Sequence, residues 1–454
     1  MLLFWDYCMK NEQSDIISLN ETGLFYKFAL PNILSFILMS SAGIVDGIFI
    51  GRYAGELSLA AINISQPVFS FIWGLSMMVM VGGAVATGKY IGEKNIEKAC
   101  QIFTKSIITV ALITVIITFL ILIFTEEMIY LIGGSDKTTP IAVNYIKMIL
   151  PFVIFTTIGY GLSVFARVDG FPFTASCALI TGAVINILLD ALFIAVFNMG
   201  VAGAAYATGI SFMAGFIILF IHFIRKKGVL RITLKLNNFS EIVKSSINGL
   251  SEFLNEISVG VTMALFNIIM MKYAQEEGVA AFTAINYILW LGNMVNYAAA
   301  DSLNPLISTN YGAGKFNRIK NFLKTGIIFT VSNGIFIFLL ISFFGASLIS
   351  LFIKDTSSEA FKIAVEFMHI EKWAFFLSGV NMVFSSYFTA MLRPKESAVI
   401  AVLRSLILPC TILLILPSYL GKFGIYSAVP ISELITFTIT ITLFMLSRKF
   451  LLKR

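Results

Sequence analysis

The chain has 454 residues, 58% of them hydrophobic and only 13% charged, against about 25% charged in an average soluble protein. Forty-three phenylalanines add to an apolar content that no soluble core of this size could hide, so the bilayer is the solvent. The net charge of +7 falls in short clusters between apolar runs, a distribution that serves membrane topology and speaks against nucleic acid as a partner.

In chain order, Met1 to Leu19 carries Asp6, Glu12 and Asp15 and has neither a basic n-region nor a small-residue cleavage site. Residues 1–25 therefore read as a short cytoplasmic segment and not a signal peptide. Twelve continuous apolar runs follow, none with strand-like alternation. Hydrocarbon tolerates only helices or closed barrels, because each unpaired backbone group there costs several kcal/mol, so these runs are predicted helices. The first six fall near 26–50, 58–84, 100–124, 139–165, 172–196 and 200–224. A basic, polar connector, 225–243, bisects the chain. The other six fall near 244–271, 280–308, 322–346, 363–390, 396–417 and 424–447, and a basic tail occupies 448–454. Lys and Arg gather after the even-numbered spans, for example at 89–98, 315–320 and 393–395, whereas the odd loops hold Glu126-Glu127 and Glu276-Glu277. Both termini are therefore expected in the cytoplasm.

The two halves repeat one another. Arg52-Tyr53-Ala54-Gly55-Glu56 followed by Ala60-Ala61 recurs as Lys272-Tyr273-Ala274-Gln275-Glu276 followed by Ala280-Ala281. Gly92, Asn95 and Lys98 match Gly314, Asn317 and Lys320, and Gly200, Gly203, Ala207 and Ser211 match Gly421, Gly424, Ala428 and Ser432. A near-constant spacing across an even number of helices means a parallel repeat. The predicted fold is all-α and integral to the membrane, with twelve transmembrane helices in two parallel six-helix bundles related by a pseudo-two-fold axis. The N-lobe is 26–224 and the C-lobe 244–447.

An ionisable side chain at mid-bilayer costs at least ~2.5–3.5 kcal/mol, so each one needs a reason. Asp46 lies in span 1 and Asp190 in span 5; Asn186, four residues before Asp190, shares its helical face. Thr208 follows in span 6. At about 1.5 Å per residue, Asp46, Asp190 and Thr208 all lie some 6–12 Å below the outer surface. Two carboxylates, an amide oxygen and a hydroxyl at one depth are hard ligands for Na⁺, or the carboxylates share a proton. The alternative is that both carboxylates face water near the rim. Pro31, inside span 1, removes a backbone hydrogen bond and permits a bend there.

The second half repeats neither acid: Thr411 stands where Asp190 would recur, and Phe266 or Asn267 where Asp46 would. Its own candidates for buried acids are Glu252 and Glu256 in span 7, Asp301 in span 8 and Glu433 in span 12, with Glu366 and Glu371 near the outer end of span 10. Glu252, Glu256 and Asp301 fall in the cytoplasmic half, where they either contact a cationic substrate, complete a proton path, or pair with Arg404 or Lys244. The four cysteines (Cys8, Cys100, Cys177, Cys410) show no metal or redox spacing, and with only His222 and His369 a histidine metal site or a Ser/His/Asp triad is nearly excluded. No cofactor is expected.

These residues together resemble the multidrug and toxic compound extrusion (MATE) family, in particular its DinF-related prokaryotic branch. The resemblance rests on P-x14-D-G-I-F-I-G from Pro31 to Gly51, L-A-A-I-N at 59–63, N-I-L-L-D at 186–190 and G-V-A-G-A-A-x-A-T at 200–208. It continues through N-Y-G-A-G at 310–314 and G-I-Y-S-A-V-P-I-S-E at 424–433. It implies an H⁺- or Na⁺-coupled antiporter that exports small amphipathic, often cationic, organic compounds by alternating access. The implied setting is the plasma (inner) membrane of a prokaryote, with the protein acting as a monomer. It also implies Asp46, Asn186, Asp190 and Thr208 as the cation or proton site and Pro31 as the hinge. A flippase for lipid-linked intermediates is the alternative in the same superfamily, and a membrane enzyme or receptor a more distant one; an enzyme would need a polar constellation that is not visible in this sequence.

Overall fold

The computed structural model describes residues 15–236 and 239–451; the N-terminal segment through Ser14, with Cys8, two residues of the connector and the tail from Leu452 lie outside this range. Helices carry the fold, and no strand occurs among the described residues. The chain divides into two compact units, one comprising residues up to Phe253 with Ser308–Phe316, the other Leu254–Ile307 with the chain from Asn317 onward.

The first unit contains α1 (Glu21–Phe49), α2 (Glu56–Gly92), α3 (Ile96–Leu131), α4 (Thr139–Val168), α5 (Pro172–Asp190) and α6 (Gly200–Ile224), with the short α7 (Ser240–Asn248) in the connector. Local signals start these helices. The Asn20 side chain accepts from the Gly23 N–H and that of Asn95 from the Lys98 N–H, satisfying first-turn donors. Pro140 and Pro172 sit in the first turns of α4 and α5, where a missing N–H breaks no bond. One end of this unit is held by a core that includes Ile50, Ile62, Ile72, Tyr145, Ile149, Leu150 and Ile194. Helices α4 and α6 approach closely because Gly209 has no side chain: a Cβ there would fall 2.4 Å from the Phe152 ring.

From Leu250 onward the predicted spans 244–271 and 280–308 form one long rod, α8 (Leu250–Asp301), continued by α9 (Leu303–Gly312); its middle, Leu254–Ile307, belongs to the second unit and its two ends to the first. The rod bends at Ala274 and Gln275, the latter with φ at 51°, a conformation disfavoured for any residue but glycine. Next come α10 (Phe316–Ser350), α11 (Glu359–Glu371) and α12 (Phe375–Ala390). The expected tenth span is thus built from two helices joined by a 3-10 turn at Lys372–Ala374. That turn is tied sideways, since Lys372 donates to Ser342 Oγ at 2.8 Å and lies 4.8 Å from the Phe338 ring. Helices α13 (Pro394–Val402) and α14 (Leu408–Ile415) flank a π-helical turn, Leu403–Ile407, and α15 (Ala428–Leu451) closes the chain. Stacked rings fill the unit's interior, with Phe266–Phe282 at 4.8 Å and Phe367–Tyr426 at 4.5 Å between centroids.

Among the described residues, 10 helices are long and apolar enough to cross a membrane. The bent rod supplies two passes and α11 with α12 supply one more, which accounts for the twelve expected.

Candidate functional site

The two membrane carboxylates of the first unit sit where regular helix gives way. Helix α1 carries Asp46 in its last turn and continues as a π-helix, Ile50–Ala54, and α5 ends on Asp190 and continues as a π-helix, Ala191–Val196. Such widened turns are rare and cluster at functional sites, because they free backbone groups and re-aim side chains. Here both follow an aspartate directly or within one turn.

The Asp46 and Asp190 carboxyl groups lie close enough to interact directly. Asp190 is fully buried and Asp46 half-buried. Asn186 is buried one turn before Asp190, and its amide donates to Thr208 Oγ1 of α6 at 3.4 Å. Tyr145 of α4, also buried, lies within electrostatic reach of both carboxyls. Among the described residues no donor reaches either oxygen of Asp190 or Oδ1 of Asp46. Two carboxyls in contact with nothing to donate to them need a proton or a cation between them. The oxygen set fits a monovalent cation as well as a proton.

Pro31 lies in the N-terminal half of α1, and the helix runs through it with regular geometry. Its neighbour Asn32 is buried and accepts from Arg167 Nη1 of α4. The N-terminal part of α1 is therefore pinned beside the proline, while the Asp46 part lies fifteen residues further along.

The other predicted acids do not form one cluster. Glu252 and Glu256 are half-buried, one turn apart on α8. Asp301 is buried at the end of that helix and accepts from Asn304 Nδ2 at 3.4 Å. Arg404, considered as a partner for them, instead donates to Glu433 Oε1 at 2.8 Å. Asn381 Nδ2 donates to Glu433 Oε2 at 2.7 Å, and Glu371, itself buried, is the nearby second carboxyl. Sequence reading marks Glu433 and Arg404 singly but has no signal for Asn381, an uncharged residue in a span rich in small polar side chains.

A second feature lies outside the spans. Asp169, at the turn between α4 and α5, is buried and accepts from the backbone N–H groups of Val229 at 2.9 Å and Leu230 at 3.4 Å. Burial pushes its carboxyl up to about 7, against the opposing pull of those two donors and of Arg231.

The chain matches the family model described as MatE over residues 31–192 and 253–412. It is 25% identical over 414 residues to the multidrug export protein MepA of Staphylococcus aureus strain MSSA476, covering 89% of each chain. The fold superposes with a TM-score of 0.92, at 22% identity and over 98% of this chain and 99% of the other, on an outward-facing multidrug resistance MATE family transporter of the MOP superfamily. With a MOP superfamily transporter from Pyrococcus furiosus the TM-score is 0.87, at 21% identity over 95% and 98% of the two chains.

Proposed function

The chain belongs to the MatE family, whose model spans both its halves, and on that footing we propose that it exports small amphipathic, often cationic, organic compounds in exchange for H⁺ or Na⁺ by alternating access. Its relatives bear the names of exporters and transporters, not of enzymes. The observation that carries the ion-coupled reading is the Asp46–Asp190 contact, two carboxyls in one membrane-embedded pocket with no internal donor for three of their four oxygens.

In this reading Asp46, Asn186, Asp190 and Thr208 take up the coupling ion. Residues 26–224 and 244–447 act as the two moving lobes, and α1 flexes about Pro31. Ion binding favours the outward-open state and weakens the hold on the organic substrate; because coupling is reciprocal, substrate weakens ion binding by the same factor. Glu252, Glu256 and Asp301 contribute to substrate binding or to a proton path. The protein works as a monomer in the plasma membrane of a prokaryote, with both termini cytoplasmic.

The test is efflux of a fluorescent organic cation from vesicles holding the full-length protein, under Na⁺ and pH gradients imposed separately. One gradient should drive efflux in the wild type, and Asp190→Asn should abolish the gradient-driven component while the protein stays folded in the membrane. Undiminished gradient-driven efflux in that variant would remove the carboxylate pair from the mechanism.

A further inference from the structure

The connector is not a loose loop. Its inner face is fastened to the first unit at several points. Besides the two Asp169 bonds, the Thr233 N–H donates to Thr104 Oγ1 at 3.1 Å and the Cys100 thiol to the Val229 carbonyl at 3.5 Å. Gly228 passes so close to Asp169 that a Cβ there would fall 1.7 Å from Oδ2. Leu230, Ile242, Ser245 and Asn248 are buried. The connector's outer face is therefore held in a fixed posture.

That outer face combines two chemistries. Leu234 is 95% exposed, and Phe239, Val243 and Ile247 are 51%, 59% and 50% exposed at helical spacing, forming one stripe on α7. Around them six cations are exposed: Arg225, Lys226, Lys227, Arg231, Lys235 and Lys244. The only acid between 225 and 248 is Glu241, and it turns inward to Lys105, 3.8 Å away and itself fully buried; from neighbouring elements Glu97 pairs with Lys235 at 3.9 Å in an exposed contact and Asp169 acts on Arg231, which leaves the face with a clear excess of positive charge. A face turned to water would not present such a row of large apolar side chains, and one sunk in acyl chains would not carry six cations. Exposed apolar groups ringed by Lys and Arg suit the headgroup boundary of a bilayer, and the excess of positive charge favours anionic lipid. The connector also joins α6 directly to α8, two helices apolar enough to span the membrane, so lipid headgroups are its immediate neighbours.

We infer that residues 225–236 and 239–248 form a docking surface for anionic phospholipid headgroups. The cations contact the phosphates, and Leu234 and the α7 stripe enter the upper acyl layer. Since the inner face is hydrogen-bonded to the helix ends of the first unit, lipid charge bears on the position of the link between the two halves.

The test uses the full-length protein with Leu234→Cys carrying a nitroxide, Cys8 and Cys410 replaced by serine, and the buried Cys100 and Cys177 retained. It is reconstituted in phosphatidylcholine vesicles with and without phosphatidylglycerol. Collision of the nitroxide with oxygen reports the acyl layer, and collision with a water-soluble nickel complex reports water. Oxygen should dominate with phosphatidylglycerol and nickel access should rise several-fold without it. Replacing Lys226, Arg231, Lys235 and Lys244 by Gln should make the two lipid mixtures alike, at the nickel-accessible level. Nickel access in both mixtures would put the face against water and overturn the inference. Burial that ignores both lipid charge and the Gln substitutions would overturn the anionic selection, and shielding that grows with protein density would assign the face to a second copy of the chain.

Discussion

Replacing Asp46 by asparagine should remove the ion dependence of the protein's stability, and it should do so before any transport is measured. If both carboxyls are charged, they repel by about 4 kcal/mol, the value for two unit charges about 4 Å apart at an effective dielectric constant near 20. A proton or Na⁺ between them cancels that term, and an ion present at 100 times its dissociation constant stabilises the folded state by about 2.7 kcal/mol. Asp46→Asn removes one of the two charges while keeping the shape of the side chain. In alkaline, Na⁺-free buffer the variant should therefore be more stable than the wild type, and it should gain little from the coupling ion. The assay is thermal unfolding of the purified full-length protein in choline chloride and in NaCl, across a pH series. The wild type should gain several degrees from either Na⁺ or acidification, depending on which ion it uses, and the variant should lose that gain. A variant that keeps the wild-type response to both would refute the reasoning, because the repulsion between Asp46 and Asp190 would then not be what the ion relieves.

Arg404→Met strands the buried Glu433 with the Asn381 amide alone, so it should destabilise the protein by roughly 3–5 kcal/mol, and adding Glu433→Gln should recover most of the loss in a double-mutant cycle of thermal stability. Asp169, raised to about 7 by burial, binds a proton more readily folded than unfolded, so its contribution to stability is present below about pH 4 and lost as the pH rises through 7. The difference in unfolding between wild type and Asp169→Asn should follow that window, with an amplitude on the order of 4 kcal/mol; a flat difference would mean that Asp169 does not titrate there. Glu371→Gln, which preserves shape and hydrogen-bonding capacity, should leave gradient-driven efflux intact, as measured in the same vesicles; loss of the gradient-driven component would give the second half an ion site of its own.

The helices were legible in the sequence because continuous apolar runs admit one solution in hydrocarbon, and spans 172–196 and 200–224 end where Pro172, Asn198 and Gly200 punctuate them. The convergence of Asp46 and Asp190 was legible too, since counting residues from the outer surface places both at one depth and rise per residue is nearly fixed. Contacts set by neither period nor depth were not legible. Asp169 meets the connector through the backbone N–H groups of Val229 and Leu230, sixty residues on, and every residue carries such a donor. The break at Lys372–Ala374 depends on the lateral tie from Lys372 to Ser342 and Phe338, which no local pattern records. The π-helical turns after the two aspartates have no sequence signal that separates them from ordinary helix.

What divides the two halves is less the number of buried acids than where their counter-ions come from. Glu433 has its cation built into the chain: Arg404 is tethered to the π-helical turn at Leu403–Ile407 and Asn381 holds the other oxygen. A tethered cation cannot be exchanged with solution, so this pair fixes the packing of its unit but is unsuited to exchange a coupling ion. Asp46 and Asp190 have no such partner among the described residues, and whatever neutralises them must arrive from outside and can leave again. Two carboxyls with an exchangeable counter-ion form a two-state element, and each state can favour a different packing of the turns that carry them. In the first unit those turns are the ones where α1 and α5 pass from α- to π-helix beside the pair. In the proposed mechanism, ion exchange there repacks the C-terminal end of α1, whose N-terminal part is pinned by Arg167 at Asn32, and the segment between them contains the stretch just beyond Pro31. On the proposed function, an exchangeable counter-ion and an anchored helix base are together what the first half would use to turn ion binding into movement.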